Sequence, residues 1–158
     1  MNTTKTLQFK IGTGLSVFFF TLFCATFTFA AGQYVSVKKD GVNMRSGPNT
    51  NDEILWEVFK GFPLKVLEEK KKWANVEDFE GDKGWIYAPL LTSTKTVIVK
   101  VDTANLRVGP GKNYEMRATV KYGVVFTPGR IEGDWVQVNH ADGTSGWIYK
   151  KLLWPELP

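Results

Sequence analysis

Residues 83–91 read Lys-Gly-Trp-Ile-Tyr-Ala-Pro-Leu-Leu, and residues 145–153 read Ser-Gly-Trp-Ile-Tyr-Lys-Lys-Leu-Leu. The two stretches are 62 positions apart, and their match extends without a gap over residues 34–91 and 96–153. Identical residues occupy 21 of the 58 aligned positions, including Trp73 with Trp135 and Gly84 with Gly146. Self-similarity at one constant spacing indicates a duplicated structural unit.

The pattern inside each repeat predicts β-strands. Apolar residues alternate with polar ones, and Gly or Pro recurs about every eight to twelve residues, which is typical of an all-β sandwich or barrel. Residues 73–78 and 83–87 predict a hairpin, and the second copy places Asp142-Gly143 at the same turn, a strong hairpin signal. We therefore expect an all-β protein made of two small barrels, each with five or six short strands.

The repeat boundaries predict the domain organisation. It comprises a signal peptide at residues 1–30, a first module at 34–91, a linker at 92–95, a second module at 96–153 and a tail at 154–158. Four linker residues reach about 14 Å at most. A unit of this size buries only about 60% of its unfolded surface. We therefore expect the modules to touch and to stabilise each other.

The N-terminal segment has the composition of a secretory signal. Lys5 and Lys10 precede an uncharged apolar stretch at residues 11–31, and Thr28 and Ala30 lie near a suitable cleavage point. We expect cleavage after Ala30 and an exported protein of the periplasm or cell envelope. An uncleaved segment would be long enough to act as a membrane anchor.

Removal of this segment would also change the chemistry open to the protein. Cys24 is the only cysteine, so a processed chain has no disulfide, no cysteine-ligated zinc and no thiol nucleophile. The loss of Lys5 and Lys10 would leave 18 basic against 16 acidic residues. That balance argues against nucleic acid as a partner, because nucleic-acid binding requires a basic face.

Strand alternation divides the predicted hairpin into two faces. Ala74, Val76 and Ile86, with their counterparts Val136, Val138 and Ile148, should point into the core. Six aromatic residues should then point outward and form ligand-binding grooves: Trp73, Trp85 and Tyr87 in the first module, and Trp135, Trp147 and Tyr149 in the second. Tyr and Trp suit recognition because each joins a large apolar area to a polar tip. The same rings could instead cover a thin core or pack between the modules.

A wider pattern in both copies resembles a known family. Asn-x-Arg-x-Gly-Pro at residues 43–48 and 105–110, a Gly in mid-module, a Trp that opens a strand, and Gly-Trp-Ile-Tyr before Leu-Leu are similar to the bacterial Src-homology-3 domain. The resemblance covers residues 34–153. It implies a five- to six-stranded barrel and non-covalent binding of cell-wall peptides or of proteins.

Two binding functions follow from these observations. The first is recognition of peptidoglycan peptide, or of another peptide, in the aromatic grooves. The second is a protein–protein adaptor of the envelope without wall binding, which would use Trp56 and Phe59. The second copy has Ala118 and Lys121 at those two positions, so this surface would belong to the first module alone.

The residues that could support catalysis are too few. His140 is the only histidine and has no serine or cysteine partner, so it is expected to be a loop residue. Arg45 and Arg107 could clamp a carboxylate, but bonding to loop carbonyls or stacking on Trp is the favoured interpretation. Glu77, Asp78, Glu80 and Asp82 should lie in water at a hairpin tip, with no apolar wall to raise a pKa. We expect no enzyme activity, no metal site and no cofactor.

Overall fold

A computed structural model of the chain describes residues 29–30 and 32–158. The signal-peptide prediction therefore falls almost entirely outside the described residues. Over the described part, strands account for all of the regular structure except two 3-10 turns, Ala88–Leu90 and Lys150–Leu152. None of the described helical segments combines the length and apolar character that a membrane crossing requires.

Each repeat forms one seven-stranded antiparallel sheet that curls into a small barrel. The strands of the first module are β1 Tyr34–Val37, β2 Val42–Arg45, β3 Ile54–Val58, β4 Pro63–Lys70, β5 Trp73–Glu77, β6 Lys83–Tyr87 and β7 Leu91–Thr92. They pair in the order β3-β2-β6-β5-β4-β1-β7. The predicted all-β class is confirmed. The strand number exceeds the expected five or six, because the closing leucines add a short strand that pairs with β1.

The second module repeats this arrangement. Its strands are β8 Val97–Val99, β9 Thr103–Arg107, β10 Met116–Lys121, β11 Val125–Glu132, β12 Trp135–Asn139, β13 Ser145–Tyr149 and β14 Leu153–Trp154. They pair in the equivalent order, β10-β9-β13-β12-β11-β8-β14. The register shifts within β4, between Val66 and Glu68, and within β11, between Pro128 and Ile131. Bulges of this kind bend a strand, and each long strand here pairs with two neighbours.

The predicted inward face of the hairpin is confirmed in both modules. Ala74, Val76 and Ile86 are fully buried, as are Val136, Val138 and Ile148. Val76 pairs with Gly84 across the hairpin, and Val138 pairs with Gly146. A Cβ on Gly84 would lie 2.7 Å from Met44 Cγ, so glycine is needed for β6 to approach β2.

The two modules are in contact, as the short linker predicts. Ile98 of the second module is fully buried within the core cluster of the first. The Ser36 hydroxyl donates a hydrogen bond of 2.9 Å to the carbonyl of Thr94 in the linker. Tyr34 meets Trp154 edge to face at 5.4 Å between ring centroids. A fully buried isoleucine shared in this way ties the packing of the two barrels together.

Candidate functional site

Each module carries a surface groove at the start of its final hairpin. In the first module a groove of about 610 Å³ is lined by Trp73, Tyr87, Asn43, Arg45 and Pro48, among other residues. Trp73 opens β5 and Tyr87 closes β6, and the two residues are cross-strand partners. Their rings meet edge to face, 5.7 Å apart at an angle of 66°. We call this cavity groove 1.

The second module repeats the groove with matched residues. Groove 2 has a volume of about 600 Å³ and is lined by Trp135, Tyr149, Asn105 and Arg107, among others. The rings of Trp135 and Tyr149 lie 5.8 Å apart at 59°. The same pair of rings, beside the same Asn and Arg, therefore occurs twice in the chain.

The two arginines are held in place by loop carbonyls, as the favoured interpretation predicts. Arg45 Nη1 donates a hydrogen bond of 2.8 Å to the carbonyl of Asp52, and Arg107 Nη1 donates one of 2.8 Å to the carbonyl of Tyr114. Both arginines also line their grooves. A guanidinium has five N–H donors, so one bond to the loop fixes the group and leaves others for a ligand.

Trp85 and Trp147 occupy the predicted outer face but do not line the grooves. Trp85 pairs with Asn75 and Arg45, and Trp147 pairs with Gln137 and Arg107. Trp85 is half-buried.

The expectation of an accessible ring is wrong for Trp147, of which only 6% is exposed. The guanidinium of Arg130 lies 5.8 Å from the centroid of its ring, a cation–π contact. The first module has Glu68 at the equivalent position, so Trp85 has no such cover.

Trp56 and Phe59 lie beside the contact between the modules. Trp56 is half-buried against the first core, and Phe59 is 43% exposed. Both line a cavity of about 290 Å³ that also includes Phe79 and Tyr122. Phe59 contacts Phe62 at 5.3 Å between ring centroids. Part of the apolar surface expected to bind a partner is thus used within the protein.

The acidic hairpin tip differs from its predicted environment at one residue. Asp78 is only 5% exposed, and its Oδ1 accepts hydrogen bonds of 2.9 Å and 3.0 Å from the N–H groups of Glu80 and Asp82. Burial raises the pKa of the Asp78 carboxyl above its usual 3.8, although the two hydrogen bonds oppose that shift. The expectation of a fully solvated tip is therefore wrong, and the neighbouring Phe79 packs against Tyr122 of the second module at 5.2 Å between ring centroids.

The carboxylates of Asp78, Glu80 and Asp82 lie close enough to share an ion. Their contacts have a structural explanation, since the Asp78 bonds close the turn and Glu80 accepts from the Tyr122 hydroxyl. The cluster therefore gives no independent support for a metal.

His140 is a structural loop residue in this fold. Its backbone N–H donates a hydrogen bond of 2.8 Å to the carbonyl of Thr144. Its ring lies 5.5 Å from the ring of Phe126, measured between centroids. Its Nδ1 lies 2.9 Å from Asp142 Oδ1. The hydrogen bond from the backbone N–H of Thr144 is the main cause that lowers the pKa of the Asp142 carboxyl to about 2, and the hydrogen bond with the His140 side chain is the second.

Sequence reasoning missed the residues that join the modules. Tyr122 and Ile98 both contact the first module, and the first copy has Lys60 and Ser36 at their positions. The available signal was that an apolar or aromatic residue replaces a polar one at these two positions of the second copy.

Two small barrels with matched aromatic grooves define a tandem SH3-like protein. The family model described as "Bacterial SH3 domain" matches residues 38–92 and 100–155. The chain belongs to the bacterial SH3 domain family.

A curated relative and two solved structures are similar to this chain. YrvJ of Bacillus subtilis strain 168, named as an inferred N-acetylmuramoyl-L-alanine amidase, is 28% identical over 137 residues. The match covers 80% of this chain but only 26% of that relative. NlpC2 from Trichomonas vaginalis has a TM-score of 0.35 at 16% identity, covering 79% of this chain and 49% of that one. An NlpC/P60 family protein from Bacillus cereus ATCC 10987 has a TM-score of 0.35 at 16% identity, covering 77% and 55%.

Proposed function

We propose that this protein is a non-catalytic binding protein of the cell envelope whose two grooves hold the peptide of peptidoglycan. The observation that carries the proposal is the repetition of the groove. Trp73, Tyr87, Asn43 and Arg45 recur as Trp135, Tyr149, Asn105 and Arg107 around cavities of nearly equal volume. Trp56 and Phe59, which lie outside the grooves, differ between the copies.

The groove chemistry suits a short peptide that carries a carboxylate. The edge-to-face Trp and Tyr rings offer apolar surface, and small-ligand sites typically combine such surface with a few well-placed polar groups. The arginine in each groove is already oriented by its loop, so its remaining donors can bind a carboxylate at little entropic cost. A peptidoglycan stem peptide has such carboxylates. YrvJ, named for an amidase that acts on N-acetylmuramoyl-L-alanine, supports the same class of ligand.

Export is part of the proposal, because peptidoglycan lies outside the cytoplasmic membrane. The basic residues and the apolar stretch of residues 5–31 support it. Cleavage after Ala30 would remove Phe29, which packs against the first core. N-terminal sequencing of the protein from a periplasmic fraction should start at Ala31. A cytoplasmic, unprocessed product would contradict export.

Co-sedimentation with purified sacculi tests the proposed function. The variant Tyr87→Ala/Tyr149→Ala removes one ring from each groove and should lose retention. The matched control is Trp85→Ala, which removes a half-buried ring outside the groove lining and should remain bound. Near-ultraviolet circular dichroism would verify that both variants fold. Wild-type protein that stays in the supernatant, or a double variant that binds as well as wild type, would disprove wall binding through the grooves.

A second candidate function, a protein–protein adaptor, has its own observation. Strand β3 is a sheet edge, and Ile54, Leu55 and Phe59 on or next to it are large apolar residues left exposed. Exposed edges of this kind can pair with another chain. Phe59→Ala should then abolish co-purification of an envelope protein and leave sacculus binding unchanged. If the variant retains every wild-type partner, this alternative is excluded.

A further inference from the structure

The two grooves share their rings and their arginine but differ in the charges around them. Groove 1 is lined by Lys39 as well as Arg45, and none of its described lining residues is acidic. Groove 2 is lined by Arg107, Lys112 and Asp134. The two grooves therefore differ in the charged residues that line them.

Asp134 occupies a backbone position that is the same in both modules. The carbonyl of Asp134 accepts a hydrogen bond of 2.8 Å from the N–H of Lys150, and the carbonyl of Lys72 accepts one of 2.8 Å from the N–H of Ala88. Asp134 directly precedes Trp135, and Lys72 directly precedes Trp73. The exchange of Lys72 for Asp134 thus reverses the charge at one fixed place beside the ring.

A second difference removes a positive charge from groove 2, although Lys112 adds one where groove 1 has Thr50. Lys39 corresponds to Val101, which packs against the second core and brings no charge to groove 2. Lys150 Nζ lies 3.9 Å from Asp134 Oδ1, at the limit of an ion pair, and the Asp134 side chain is exposed. Exposed pairs of this kind are weak, so the Asp134 carboxylate remains able to accept a ligand's ammonium group.

We infer that the two grooves differ in the charged groups they bind: the arginine of each groove binds a carboxylate, and groove 2 alone also binds an ammonium group of the peptide, through Asp134. This inference rests on the proposed function and adds specificity to it. Asp134 is the residue that distinguishes the two sites. A peptide with both charges, such as a stem peptide with a free amine on its diamino acid, would be held differently by the two modules.

Titration of the full chain followed by NMR can test each groove separately, because Trp73 and Trp135 provide one indole N–H signal for each. The probes are a synthetic stem tetrapeptide with a free side-chain amine and the same peptide with that amine acetylated. Acetylation should weaken binding at Trp135 by about threefold, the size expected for one exposed charge pair, and leave binding at Trp73 unchanged. Asp134→Lys, which installs the residue of the first module, should abolish the sensitivity of groove 2. The reciprocal Lys72→Asp should make groove 1 sensitive.

The outcomes separate this inference from the function on which it rests. Equal effects of acetylation at both indoles, or no effect at either, would overturn the inference and leave peptide binding intact. If the unmodified peptide shifts neither indole signal, the proposed function fails and the inference fails with it.

Discussion

The hydroxyl of Tyr122 in the second module donates a hydrogen bond to the carboxylate of Glu80 in the first. The ring of Tyr122 lies 5.2 Å from that of Phe79, next to Glu80 in the chain. One side chain thus makes a polar and an aromatic contact across the modules. The first module has no equivalent of this tyrosine, because Lys60 stands at the position of Tyr122.

Removal of this hydroxyl should weaken the contact. Tyr122→Phe keeps the ring and deletes the bond to Glu80, so the free energy of unfolding should fall by about 1 kcal/mol. Urea denaturation measures the change. Tyr114→Phe, at another exposed tyrosine of the second module, is the matched control and should have no effect. Equal stability of wild type and Tyr122→Phe would show that this hydrogen bond does not stabilise the protein.

The same bond makes Tyr122 titrate late. The hydrogen bond to Glu80 raises the pKa of Tyr122 from 10.0 to about 12, because the protonated hydroxyl is the donor. A folded-state pKa above the unfolded one means that this contribution to stability declines as the pH rises from about 10 to about 12. Absorbance at 295 nm should show one tyrosine that ionises near pH 12 in wild type and is missing in Tyr122→Phe. If the two titration curves differ only in an ordinary tyrosine near pH 10, the contact does not exist in solution.

Asp78 should make stability depend on pH in the acidic range. Because burial raises the folded-state pKa of Asp78 above its unfolded value of 3.8, the protonated form favours the native state. Its contribution is present below pH 3.8 and is lost as the pH rises through the folded pKa. Asp78→Asn keeps the Oδ1 acceptor without the charge, so it should gain stability relative to wild type between acid and neutral pH. Urea unfolding below pH 3.8 and at neutral pH tests this prediction. A stability difference between Asp78→Asn and wild type that does not grow toward neutral pH would refute it.

The shared core should make the two modules unfold together. Ile98 is fully buried in the core cluster of the first module, so Ile98→Ala should cost about 2–5 kcal/mol. Tryptophan fluorescence and circular dichroism should report one common transition in wild type, shifted as a whole in the variant. Ile131→Ala, at an exposed isoleucine of the same module, should be close to neutral. Two separate transitions in wild type would show that the modules fold independently.

The sequence was informative wherever the structure depends on local alternation. Val76 and Val138 face inward and Trp73 and Trp135 face outward because a strand reverses its side chains at every residue. Burial that depends on distant residues could not be predicted in this way. Trp147 is covered by Arg130 from another strand.

The groove itself could be predicted only in part. The outer-face rule gave three rings per module, but Trp85 lies away from the cavity that Trp73 and Tyr87 line. Asn43 and Arg45 belong to β2 and Pro48 to the loop that follows it, and Arg45 donates a hydrogen bond to the carbonyl of Asp52 in that loop. Alternation within a strand contains no information about such a loop.

Isothermal titration calorimetry with the stem tetrapeptide tests peptide binding by the paired rings most directly. We predict two peptide-binding sites per wild-type chain, one site in Tyr87→Ala, one site in Tyr149→Ala, and two sites in Trp85→Ala. No heat of binding to wild type, or a stoichiometry that either tyrosine substitution leaves unchanged, would contradict this prediction.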